Sequence, residues 1–231
     1  MNTNYNQQEK TSFKSFLVFS FLLTTFINLG FSLNSSQFRV NEVEVINDSL
    51  TFQKNEFTNI VFGHSIWTVS NDTFSDIIIQ YPTIENITVS KSYPNKIFLE
   101  IKEYDEIITI TDLRGSIPKR TILYKNMIEI PTDSKFMTAT LTITNGPVDI
   151  GLNGELISLI MTLKSYSLNE VDFKFTFDGD KLIGEYRDSE ILFGPALDLG
   201  TKAAALGALL EDSYCNGTIR FIGSEDIIAE C

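Results

Sequence analysis

The 231-residue chain has little histidine (one), cysteine (two) and proline (six), and it is short of positive charge. Its 18 Lys and Arg stand against 30 Asp and Glu, a net charge of −12. One histidine and two cysteines do not make a Cys/His zinc set, so neither a metal site nor a cofactor is expected. A phosphate backbone demands clustered basic residues, so no nucleic-acid partner is expected either. The sole histidine is His64 and no Gly-x-Ser-x-Gly occurs, which leaves a serine hydrolase without its parts. The acids fall mostly at polar strand positions and in turns, the pattern of a solvated face rather than of a glycan-cleaving pair. Gly194-Pro-Ala-Leu-Asp-Leu-Gly200 lacks the Gly-Lys-Ser/Thr of a phosphate loop. No enzyme and no catalytic residue is therefore expected. Apolar residues are in ordinary supply at 43%, with 18 Phe, so the chain folds, into one or two domains.

Charge is also missing locally, from Ser15 through Phe38. Within that gap Phe16 to Leu33 (FLVFSFLLTTFINLGFSL) makes about 27 Å of helix, close to the hydrocarbon thickness of a bilayer. Lys10 and Lys14 precede it, and the acidic excess follows it. The competing readings are a buried core helix and a signal peptide cleaved near Gly30 and Ser32. The expectation taken is a cytoplasmic tail over 1–14 and a transmembrane helix over 15–35, with the lipid bilayer as its partner and the rest of the chain outside the cytoplasm. In that oxidising place Cys215 and Cys231 either pair or remain two small apolar side chains; the sequence leaves this open. Asn47, Asn71, Asn86 and Asn216 head glycosylation sequons that matter only in a eukaryotic secretory path.

Residues 36–103 read as strand, helix, helix, strand, strand. Phe38 to Val45 alternates with one slip, the mark of a strand with a bulge. Ser49 to Thr51 offers caps for a short helix carrying Phe57, Ile60 and Val61 and ended by Gly63. Phe74, Ile77, Ile78 and Tyr81 share one face of a second helix that Pro82 closes. Ile87 to Lys91 and Ile97 to Lys102 form two strands around Pro94-Asn95, the second with Ile97, Leu99 and Ile101 on one side. His64 reads as a loop residue and Trp67 as a core anchor.

The spacing of Val43-Glu-Val45, Gly63, Tyr81-Pro-Thr-Ile84, Ile87-Thr-Val89, Tyr93-Pro94 and Ile97-Phe-Leu-Glu-Ile-Lys-Glu103 resembles the POTRA domain of the FtsQ/DivIB family of bacterial division proteins. Glu103 is followed by Tyr-Asp-Glu-Ile where that family commonly has Arg-x-Pro.

Residues 104–231 read as a C-terminal β domain, a mixed sheet with two helices. Val171 to Phe177 alternates most cleanly, Asp178-Gly179 is a hairpin turn, and helices run over Asn153 to Tyr166 and Leu199 to Asp212. Ile191-Leu-Phe-Gly194, Lys202-Ala-Ala-Ala-Leu206 and Gly217-Thr-Ile-Arg-Phe-Ile222 resemble the same family's helix entry and late strand, with Arg220 where the family has an acid and Ile222 where it has Arg.

The fold class is thus α+β: a transmembrane helix, a small POTRA-like domain and a mixed sheet. The resemblance implies a bitopic protein of the inner membrane, enriched at the septum, that binds other single-pass division proteins and helps regulate septal peptidoglycan synthesis. The alternative is an anchored envelope adaptor or chaperone-like binding protein. Carried onto this sequence, the docking face is Lys202, Leu206, Ile219, Arg220, Phe221 and Ile222. Strand 218–222 arrives after a helix, so it is expected at a sheet edge, open to a partner's strand; the alternative is that it pairs internally and residues 223–231 cover it.

Overall fold

The structure, a computed structural model, describes residues 5–33, 35–46, 54–133, 138–148, 150–212 and 215–231. The chain divides into two compact units, Met1–Glu103 and Tyr104–Cys231. The expected cap at Ser49 to Thr51 and the sequon at Asn47 lie outside the described residues.

Helix α1 covers Tyr5–Leu33. Thr24, Thr25 and Asn28 satisfy their side chains on its own carbonyls, at 2.7 to 3.0 Å. Among the described residues no helix is long and apolar enough to cross a membrane. This overturns the transmembrane helix expected over 15–35, and with it the cytoplasmic tail, the bilayer as partner and the single-pass inner-membrane location. Over its 29 residues α1 interrupts the apolar run with the polar Ser20, Thr24, Thr25 and Asn28.

The globular part of the first unit is a three-stranded sheet in the order β1 (Glu42–Ile46), β3 (Lys96–Glu103), β2 (Ile84–Ser92). Strand β1 lies parallel to β3, and β2 antiparallel to it. Period-2 alternation sends Ile97, Leu99 and Ile101 into the core, where α2 (Lys54–Val61) places Phe57 and Val61 and α3 (Ser75–Gln80) places Ile77. The region read as one bulged strand is two pieces. Residues Ser36–Phe38 form a 3-10 turn, and Phe38 and Val40 then pair with the 64–66 segment before β1 begins. The first piece is held by its own hydrogen bonds: Val40 N–H donates to the His64 carbonyl and Ile66 N–H to that of Phe38, at 2.9 and 2.8 Å.

The second unit is a nine-stranded mixed sheet in the order β12-β11-β10-β9-β8-β7-β4-β5-β6. The strands are β4 (Glu106–Asp112), β5 (Lys119–Tyr124), β6 (Glu129–Pro131), β7 (Ala139–Asn145), β8 (Phe173–Asp178), β9 (Lys181–Tyr186), β10 (Ser189–Pro195), β11 (Thr218–Phe221) and β12 (Ile227–Glu230). This corrects the expected fold a second time. The sheet is larger than the one read from the sequence: it has nine strands, among them β12, and residues 104–145, where strands are expected, supply four. Three neighbouring pairs are parallel, and β5 and β6 lie in the connection of one of them, β4 to β7. Parallel neighbours need a crossover, and α4 (Ile150–Ser165) links β7 to β8 while α5 (Leu199–Asp212) links β10 to β11. The core is Phe-rich: Phe173, Phe175, Phe177 and Phe193 point inward beneath Leu156, Leu159 and Ile160 of α4 and Leu199, Ala203 and Leu206 of α5. Phe193 and Phe221 stack at 5.3 Å between centroids.

Candidate docking edges

A sheet edge is a row of main-chain donors and acceptors, so the first question is which strands are outermost. Strand β11 is not. It pairs in parallel with β10 on one side and antiparallel with β12 on the other. The edge expected at Thr218 to Ile222 is therefore covered by the last residues of the chain, and the outermost strand at this end is β12.

Of the six residues expected at the docking face, Ile219, Phe221 and Leu206 are in the core and Lys202 is only 5% exposed. The Lys202 ammonium donates to the carbonyls of Phe193 (2.9 Å) and Pro195 (2.8 Å), tying the end of β10 to α5. Burial pushes its pKa down, and the charges of Asp198 and Glu155 act the other way. Glu155 also accepts the Leu199 N–H at 2.7 Å, so a protein carboxylate already occupies the start of α5, where a phosphate would have to sit. Arg220 and Ile222 do face solvent, Ile222 at 69% exposure. Across the β11–β12 ladder Arg220 pairs with Ile228, a residue not among the six, and Ile222 is bonded to Asp226.

The ladder's register fixes what β12 presents. Arg220 pairs with Ile228 and Thr218 with Glu230, and the Ile222 N–H donates to the Asp226 carbonyl at 3.1 Å. On its other side the Gly217 carbonyl accepts the Glu190 N–H at 2.9 Å. Alternation along an antiparallel pair then points the N–H and C=O of Ile227 and Ala229 away from β11, along the open side. The strand is anchored by a disulfide, Cys215–Cys231, whose Cα atoms are 4.8 Å apart. The alternative of two unpaired cysteines is thereby closed. Of the two readings of strand 218–222, the structure has the second: residues 227–230 pair with it and cover it.

In the first unit β2 is the outer strand on one side and β1 on the other. Part of the β2 edge is occupied: the Val89 N–H donates to the Asn71 side chain at 2.9 Å, which gives that sequon asparagine a structural task. Trp67 is no core anchor. It is 42% exposed and lies between Phe38 (5.5 Å) and Tyr93 (4.6 Å), in a surface aromatic row. His64 is exposed in the adjoining loop, as a loop residue. Among the described residues no group of three or more His, Cys, Asp or Glu is placed to hold a metal ion.

Residues 56–104 match the family profile of the POTRA domain, FtsQ-type, so the first unit carries a POTRA domain of that type, consistent with the FtsQ/DivIB family. No curated protein matches the chain. The match speaks for protein–protein interaction; nothing in it supports septal regulation or a membrane anchor, and those two parts of the expected function are corrected accordingly.

Proposed function

We propose that the chain is a protein-binding protein without catalytic activity, and that its C-terminal unit docks a partner by strand addition at β12. The carrying observation is the place of β12: outermost in a nine-stranded sheet, with the main-chain groups of Ile227 and Ala229 on the open side. Main-chain bonds supply the affinity in such a mode and side-chain positions the selectivity. Here the outer face offers Ile222 and Ile228 on either side of Arg220, near the acidic Asp226 and Glu230. An extended segment alternating aliphatic and basic residues suits that face. Lys202, Leu206, Ile219 and Phe221 support the edge from beneath rather than touch the partner. The POTRA domain supports the same reading, as a second protein-binding unit.

The test uses a photoreactive residue at Ile228 in the full chain, in cells that make it. The expected result is a discrete crosslinked protein. Ala229→Pro removes an outward N–H without removing a β11–β12 bond, so it abolishes the crosslink while the circular dichroism spectrum is kept. A crosslink that survives in folded Ala229→Pro sinks strand addition at β12.

A further inference from the structure

We infer that the Cys215–Cys231 disulfide is a redox latch on the docking edge: oxidised, it holds β12 on β11; reduced, it lets β12 leave. As regulation of that edge the inference rests on the docking reading, but its principal test does not involve a partner.

Strand β12 has little else to hold it. Only Ile227 of its four residues is partly buried and packs on the core, while Ile228, Ala229 and Glu230 are exposed. Its two ends are held differently. At the start is the turn closed by the Ile222–Asp226 hydrogen bond; at the finish is the disulfide. The anchor at the other end of that bond is firm. Cys215 is buried, its carbonyl accepts the hydroxyl of the buried Ser189, and the neighbouring Gly217 is bonded to β10. The strand end is also closely seated, since a Cβ on Gly217 would collide with the Glu230 carbonyl. Closing a 16-residue separation withdraws chain freedom from the undocked β12, which is how a crosslink favours a weakly packed strand.

Access is one-sided. Cys215 is 2% exposed, whereas Cys231 is exposed. A dithiol therefore attacks the Cys231 sulfur as thiolate, forming a mixed disulfide and expelling Cys215 as thiolate, which takes up a proton. The reagent's second thiol then displaces Cys231 as a thiol and leaves as a cyclic disulfide. Two electrons and two protons pass to the protein.

The experiment is amide hydrogen exchange on the full chain, oxidised, after dithiothreitol, and as Cys231→Ser. The amides of Arg220, Ile228 and Glu230 bond across the β11–β12 ladder, whereas those of Ile219 and Phe221 face β10. Reduction is expected to speed exchange at the first set by roughly tenfold or more and to leave the second set, with Phe175 and Ile191, protected. Unchanged exchange at Arg220 and Ile228 overturns the latch, since the pairing would then hold by itself. Loss of protection throughout the unit overturns it too, because the bond would support the whole sheet. Repeating the Ile228 crosslink under dithiothreitol separates the two ideas. Released amides with a persisting crosslink refute docking at β12 and leave the latch standing.

Discussion

Lys202 and Arg114 show how single cations organise this chain. Lys202 satisfies two carbonyls at the end of β10. Lys202→Met takes this donor from both carbonyls, Pro195 keeping the Leu197 N–H, and is expected to cost about 2 kcal/mol in urea unfolding. Burial lowers the folded pKa of this lysine below its ordinary 10.5, so the unfolded chain binds the proton more tightly. Its contribution to stability accordingly rises with pH toward 10.5, and the gap between wild type and Lys202→Met should widen in that direction; a gap that shrinks refutes the assignment. Arg114 works at the surface. Its guanidinium holds Asp112 by two bonds, at 2.9 and 2.6 Å, and reaches the Gly146 carbonyl at 2.6 Å. The hydrogen-bonded guanidinium lowers the Asp112 pKa from 3.8 to about 2. A depressed carboxylate stabilises the fold above its unfolded pKa and loses that contribution as pH falls through the folded one. Arg114→Ala should therefore cost about 1 kcal/mol near neutrality and move the acid-unfolding midpoint upward, as followed by circular dichroism.

At the scale of elements, periodicity was a good guide wherever a strand or helix buries one clean face. Ile97, Leu99 and Ile101 in β3, Phe173, Phe175 and Phe177 in β8, and the stripe Leu156, Leu159, Ile160 and Leu163 in α4 all lie as their spacing requires. It failed where a neighbour in space, rather than in sequence, decides. Val171 alternates with the phenylalanines yet is 45% exposed in a 3-10 turn before β8 begins. Trp67 looks like core by composition but lies on the surface between two aromatic rings. Strand β11 looks like an edge until the four residues of β12 pair with it. Helix spacing likewise does not announce how closely α4 and α5 approach. A Cβ at Gly207 would collide with the Tyr166 ring. Gly207→Ala is expected to destabilise the second unit by about 1–3 kcal/mol despite its higher helix propensity, and adding Tyr166→Ala should recover part of that loss. Strict additivity of the two changes in urea unfolding would show that the crossing is not the cause.

At the scale of the molecule, the two units each hold a core. One is centred on Phe57, Phe74 and Leu99, the other on Phe173, Phe175 and Leu159. The chain's single tryptophan, Trp67, lies in the first unit and its disulfide in the second. This division supplies a reporter specific to the first unit, tryptophan fluorescence, while far-ultraviolet circular dichroism follows both units. Two domains with their own cores are expected to unfold in separate steps. Removing a crosslink that closes a loop of this size weakens the unit containing it by about 3 kcal/mol where the bond restricts only the unfolded chain. Dithiothreitol should therefore shift the second unit's circular dichroism transition in urea and leave the fluorescence transition in place. The shift should be small if the bond acts as a latch on β12 alone, because the rest of the sheet keeps its hydrogen bonds and its phenylalanine core. A fluorescence transition that moves together with the dichroism would mean that the units unfold as one, and the division into independent binding units would have to be given up.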